Sequence, residues 1–361
     1  MTQTDEMIMM LHQIQSPAFF VDMGVISHVN HPAVNLGIKP GIRVRELLDT
    51  GSLEYEEYRG GCLFLNIQAA GASWPCSVTR MNQFDLFAFE YHDDMAELKS
   101  MALAAQTLRG PLSNVMSTAD RLFPLASAEG IPGAKNQLAR INRSLFQMLR
   151  IISNMSDAYR YSQGITPELE LRDIGSIMEE LFSSAAPLIH HTGVELRFSN
   201  INEVLFTLVD CQMLERAVHN ILSNALKFAP RGSTIEARLT HRHNMLFLSV
   251  SNNDPNCDGS FMRDMYRQYQ RSPALEDPHY GIGLGMVLIR SAAAAHGGTV
   301  LVEQVAKKGT WITMSIAVRG KPEAIVRSPV FRVDYAGERN HILLELSECL
   351  PPELYEVDDI N

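Results

Sequence analysis

Apolar residues recur along this chain with three different rhythms. From 10 to 92 the apolar runs are short and separated by Gly, Pro or Asn. AFFVD (18–22), VISHVN (25–30), CLFLNIQAA, WPCSVTRM and FDLFAFEY read as strands, with helical patches around PAVNLG and VRELLD after the second. From 95 to 164 the spacing becomes three and four without a break. Leu98, Met101, Ala105, Leu108, Leu112, Val115, Ala119 and Leu122 make one seam, and Leu138, Ile141, Leu145, Met148, Ile152, Met155 and Tyr159 make a second. The stretch FPLASAEGIPG between them has Pro and Gly at both ends and predicts a hairpin.

From 165 to 319 helix and strand patterns alternate. IGSIMEELFSSAAPLI and CQMLERAVHNILSNALKF read as amphipathic helices, VELRFS and VLFTLVD as strands, and IEARLTHR with MLFLSVSN as an antiparallel pair. A polar stretch follows, then a helix opened by GIGLGM, then TVLVEQV and TWITMSIAV as closing strands. An antiparallel sheet covered on one face by helices is the expected α/β sandwich. The tail, 320–361, carries strand-like VFRVDY and ILLEL around no readable motif.

Composition narrows the functional classes. Hydrophobic content of 46% and charged content of 20% suit a chain that buries real cores, and 361 residues suffice for two or three domains. No apolar run reaches the length of a membrane span, and MTQTDEM lacks the start of a signal peptide, so a cytoplasmic location is expected. Net charge is −10, and 320–361 holds nine acids against four bases. Nucleic acid is therefore not an expected partner. Five dispersed cysteines without a CxxC read as buried or free thiols, and the adjacent His190 and His191 point different ways on most backbones.

Candidate chemistry sits in the third region. Asn220, Asn224 and Lys227 lie four and three residues apart and share one helix face. Asn224 offers a carbonyl oxygen suited to Mg²⁺, and Lys227 offers a positive charge to phosphates. The same residues would also serve as a solvated polar stripe opposite a core face. Gly281, Gly283 and Gly285, flanking Leu284 ahead of a helix, let backbone amides approach a polyphosphate.

HNILSNALKF (219–228), MYRQYQR (265–271), GIGLGM (281–286) and SAAAAHGGT (291–299), in that order, resemble the N, F and G2 boxes of sensor histidine kinases. The segment DMGVISHVNHPAVNLG resembles the start of a PAS domain, a class that often holds a small ligand, although inward Met, Phe and Leu are more often plain core. The resemblance implies an α+β multidomain chain. Its parts would be a PAS-like α/β domain (10–92), a two-helix hairpin closing into a dimeric four-helix bundle (95–164), an α/β-sandwich ATP-binding domain (165–319) and an acidic C-terminal extension (320–361). It implies ATP with Mg²⁺ as cofactors, Asn220 and Lys227 on the phosphates, Asn224 on the metal and Asn252 reading adenine. The implied partners are a second copy of the chain and a response regulator or another histidine kinase. Packing of the hairpin against its flanking domains is the alternative to a dimer.

Two departures from the family pattern bear on chemistry. VSNNDPNC stands where the family has DNGPG, so Asn252 replaces the adenine-reading aspartate. Losing one charge-assisted hydrogen bond predicts about tenfold weaker nucleotide binding. AAQTLRGPLSNV aligns with the phosphoacceptor motif, but Gln106 occupies the histidine position and Thr107 the acid position. An amide is not nucleophilic enough to take a phosphoryl group, so no catalytic residue is expected there. His92, followed by Asp93, is a conceivable substitute acceptor roughly 20 Å away along a continuing helix. A working kinase using such an acceptor and a non-catalytic scaffold with a vestigial ATP site remain the alternatives.

Overall fold

The computed structural model describes residues 3–81, 83–89, 94–128, 134–162, 166–201, 203–254, 284–320 and 340–356. The N-terminal strands are β1 (Ala18–Asp22), β2 (Val25–Val29), β3 (Cys62–Ala69), β4 (Ala72–Met81) and β5 (Phe84–Phe89), paired antiparallel in the order β2-β1-β5-β4-β3. Successive side chains point to opposite faces, so AFFVD feeds two cores at once. Phe19, Val21, Phe87 and Phe89 pack on one face with Ala33 of α2 (His31–Asn35) and Tyr58, which follows α3 (Ser52–Glu57). Ala18, Phe20, Leu86 and Ala88 pack on the other against Leu11 of α1 (Gln3–Gln13). Burial on both faces explains why these strands read as continuous apolar runs.

Two long helices, α4 (Asp94–Ala128) and α5 (Ala134–Ser162), form the hairpin. Helix α4 continues to Ala128, taking in the first six residues of FPLASAEGIPG, and it also passes through Pro111. Ala105, Leu112, Met116 and Ala119 of α4 join Leu145, Leu149 and Ile152 of α5 in the main core. Leu108, Val115, Ile141 and Met148, which belong to the same seams in sequence, stay exposed. The stripe is wider than one hairpin covers.

The C-terminal half contains β6 (Glu170–Asp173), α6 (Ile174–His190), β7 (Glu195–Ser199), β8 (Phe206–Val209), α7 (Cys211–Lys227), β9 (Thr234–Arg242), β10 (Met245–Asn252), α8 (Leu284–Ala295), β11 (Val300–Val305) and β12 (Gly309–Ala317). Its main strands run β11-β12-β10-β9-β7, with β7 parallel to β9 and the others antiparallel. β8 leaves this sheet and pairs with β6, a strand that the apolar pattern does not mark because ELRD is polar. Asp173 and Asp210 cap α6 and α7 through their side chains, accepting from Gly175 and Met213 amides.

The two halves share one ten-stranded sheet. β3 pairs with β11 through Val300↔Phe64, Leu301↔Leu63 and Val302↔Cys62. Gly61, at φ +88°, lets β3 approach so closely that a Cβ there would lie 2.5 Å from the Val302 carbonyl oxygen. Beside this join the Arg290 guanidinium sits 4.6 Å over the Phe64 ring, and desolvation lowers its pKa to about 10.

The run ILLEL, expected to be strand-like, is instead helical, α9 (His341–Glu345), capped by the Asn340 side chain. Leu343, Leu344 and Leu346 are wholly buried there, so tertiary packing overrides β-propensity. VFRVDY falls outside the described residues.

Candidate functional site

Helix α7 is the centre of the candidate site. It is buried along nearly its whole length because α5, α6, α8 and α9 all contact it or its immediate neighbours. Its N-terminus is fixed from two sides. Asp210 accepts from the Met213 amide, and the Asp210 backbone N–H donates 2.9 Å to Nε2 of His296, whose Nδ1 donates 2.6 Å to the Ala292 carbonyl. Both ring nitrogens are thus used by a neutral imidazole, and burial lowers the His296 pKa. The AHGG run therefore positions α7 as well as turning the chain.

Asn220 is 1% exposed and Asn224 and Lys227 are half-buried. Asn220 and the start of α8 are in close contact: a Cβ on Gly285 would stand 2.8 Å from Asn220 Oδ1. Leu284, beside Gly285, packs with Leu288 against Ala158 of α5. The structure thus brings Asn220, Leu284 and Gly285 together, with Asn224 one turn further along α7. Gly281, Gly283 and His92 lie outside the described residues.

Asn252 ends β10 and is 2% exposed. Its Oδ1 accepts from the Thr310 backbone N–H at 2.8 Å, which orients the amide, since only the oxygen can face an N–H donor. Gly309, at φ +106°, packs directly on it; a Cβ would meet the Asn252 carbonyl oxygen at 2.6 Å. The carbonyl retains a second lone pair for another donor.

Asn220 is engaged on both sides of its amide. Its Nδ2 donates 2.8 Å to the Arg216 carbonyl, and its Oδ1 accepts from Arg150 Nη2 at 3.4 Å. Arg150 belongs to α5 and also donates to Ser223 Oγ at 3.0 Å. Sequence reasoning missed Arg150, Arg216 and Glu345, which form a buried charge cluster around this face. Arg216 lies 3.1 Å from Asp157 and 3.6 Å from Glu345, and Arg150 lies 3.4 Å from Glu345. An arginine at 216 inside the apolar stripe of α7 is the one sequence signal that could have pointed to a buried partner.

On α4, Gln106 and Thr107 are exposed, and Thr107 Oγ1 donates back to the Ala104 carbonyl at 2.8 Å. Arg109 reaches across the hairpin to Ser153 Oγ at 3.2 Å.

Residues 209–320 match the family of histidine kinase-, DNA gyrase B-, and HSP90-like ATPases. Over 205 residues the chain is 27% identical to the sensor histidine kinase CusS of Escherichia coli strain K12, covering 56% of this chain and 42% of that protein. It is 26% identical over 249 residues to the histidine protein kinase DivJ of Caulobacter vibrioides, covering 63% of this chain and 40% of that one. The full-length ShkA structure in complex with AMPPNP aligns at 19% identity and a TM-score of 0.48, over 62% of this chain and 47% of that one. The chain thus spans about two fifths of the length of these curated relatives. No described helix is long and apolar enough to cross a membrane.

Proposed function

We propose that this chain, whose residues 209–320 match the histidine kinase-, DNA gyrase B-, and HSP90-like ATPase family, is a histidine kinase-like, dimeric two-component signalling protein in which ATP with Mg²⁺ acts as a conformational ligand. The observation that carries this reading is the α7 face. Asn224 stands half-exposed one turn from the contact between Asn220 and Gly285, so an amide oxygen of the right hardness for Mg²⁺ sits beside a helix start suited to phosphates. Asn224 would hold the metal, Lys227 would neutralise phosphate charge, and the free lone pair of Asn252 would accept from the adenine amino group. Bound Mg²⁺ would screen the polyphosphate and fix its orientation. Asn220 would join them after its oxygen leaves Arg150.

The Gln106 amide is not nucleophilic enough to take a phosphoryl group and Thr107 is no general base, so the hairpin does not accept phosphate at the family's histidine position. The nucleotide instead biases how the ATP-binding half docks on the hairpin. The strand order β2-β1-β5-β4-β3, with α2 and α3 on one face and α1 on the other, supports a PAS-like input domain. Exposed Leu108, Val115, Ile141 and Met148 support closure of the hairpin against a second copy. The surface around Gln106 is the proposed docking place for a response regulator or another histidine kinase.

Calorimetric titration with a non-hydrolysable ATP analogue, with and without Mg²⁺, tests the reading on the native chain and on Asn224→Ala. Magnesium-dependent binding that weakens about tenfold or more in the variant is expected. No heat at millimolar analogue would retire the nucleotide site and leave a dimeric scaffold.

A further inference from the structure

The segment 340–356 is wedged between α5 of the hairpin and α7 of the ATP-binding half. Five of its side chains, Leu343, Leu344, Leu346, Leu350 and Tyr355, are completely or almost completely buried. The Tyr355 ring meets Phe146 of α5 edge-on at 5.2 Å, and its hydroxyl donates 2.7 Å to the Leu343 carbonyl, closing the segment on itself. Helix α5 supplies donors to the segment's carbonyls. Arg143 donates to Ser347 and Glu348 at 3.0 and 2.9 Å, Gln147 to Ser347 at 3.0 Å, and Asn142 to Tyr355 at 3.2 Å. These satisfy acceptors that a five-residue helix and the turn after it leave open. On the α7 side, Glu215 holds His341 at 2.9 Å, and the Cys349 thiol lies 3.7 Å from the Ser223 carbonyl.

Glu345 is the centre of the wedge and is 0% exposed. One carboxylate oxygen faces Arg150 of α5 and the other faces Arg216 of α7, while Glu348 reaches Arg150 at 3.3 Å. Two buried guanidinium groups from different halves would repel each other without this carboxylate. The same Arg150 that Glu345 holds is the group bonded to Asn220 and Ser223. Segment, hairpin and candidate nucleotide helix are therefore joined through one side chain.

We propose that residues 340–356 are a built-in latch: they hold α7 against α5 and keep the Asn220 amide committed to Arg150, so that latch docking and nucleotide engagement at Asn220 exclude each other. The exclusion rests on the nucleotide reading above; the docking role stands on the contacts alone. Linkage then makes the effect reciprocal, with nucleotide loosening the latch as much as the latch weakens nucleotide.

The test uses the full chain with Glu345→Gln, which keeps the volume and removes the charge, and Arg143→Ala, which removes two bonds to the segment without burying a new charge. Two readouts are taken: amide hydrogen exchange across 341–350, and affinity for a non-hydrolysable ATP analogue with Mg²⁺. Faster exchange in both variants, together with about tenfold tighter analogue binding in Glu345→Gln, is the expected result. Unchanged exchange in both overturns the latch. Faster exchange with wild-type affinity overturns the exclusion. Absence of analogue binding in every protein would overturn the nucleotide reading and with it the exclusion, while the exchange data still decide the docking role.

Discussion

Replacing Gly61 by alanine should open the join between the two halves while leaving each half folded. The perturbation has two parts. Gly61 has φ +88°, where a residue with a Cβ costs roughly 1–2 kcal/mol. The added methyl would also stand 2.5 Å from the Val302 carbonyl oxygen, so β11 must retreat by roughly 0.9 Å to restore an ordinary contact distance. Only three residue pairs connect β3 and β11, so such a retreat weakens most of their ladder, at about 1 kcal/mol for each hydrogen bond lost. The sum is about 3 kcal/mol, which corresponds to about a hundredfold faster local opening. Native-state hydrogen exchange of residues 62–64 and 300–302 is the assay, with Gly71→Ala as the control. Gly71 has a similar φ of +78° but open space around it, so it carries the backbone cost without touching the join. Equal exchange at the join in wild type and Gly61→Ala, or equal acceleration by the Gly71 control, would refute the reasoning.

Three further outcomes follow from single contacts. Gly298→Ala puts a Cβ 1.9 Å from the Ser315 carbonyl oxygen inside the sheet, and a loss of about 3 kcal/mol or more in urea unfolding is expected. Burial lowers the pKa of His219 and His296 in the folded state, so the unfolded chain binds more protons below its ordinary value of about 6.5. Stability should be full above that pH and fall as the solution is acidified through it; a urea midpoint that stays flat or rises between pH 8 and 5.5 would contradict this. Val115→Glu combined with Ile141→Glu places charge on the exposed seam; if the proposed dimer closes there, sedimentation should show a dimer for the native chain and a monomer for the variant. A native chain that sediments as a monomer, or a variant that stays dimeric, would contradict closure through this seam.

Much of the molecule was legible in residue order because its signals are local. The threes and fours of α4 and α5, the apolar runs of β1 to β5 and β9 to β12, and the Asn220, Asn224, Lys227 face of α7 each follow from the repeat of one element. Other features depend on partners far away in sequence. ELRD is a strand only because β8 lies beside it, and ILLEL is a helix only because α5 and α7 bury its leucines. The engagement of Asn220 with Arg150 spans seventy residues, and the meeting of Arg150 with Glu345 spans one hundred and ninety-five. No periodicity encodes such pairs. Burial made their charges costly alone and stable together, and that condition exists only once the chain has folded around them.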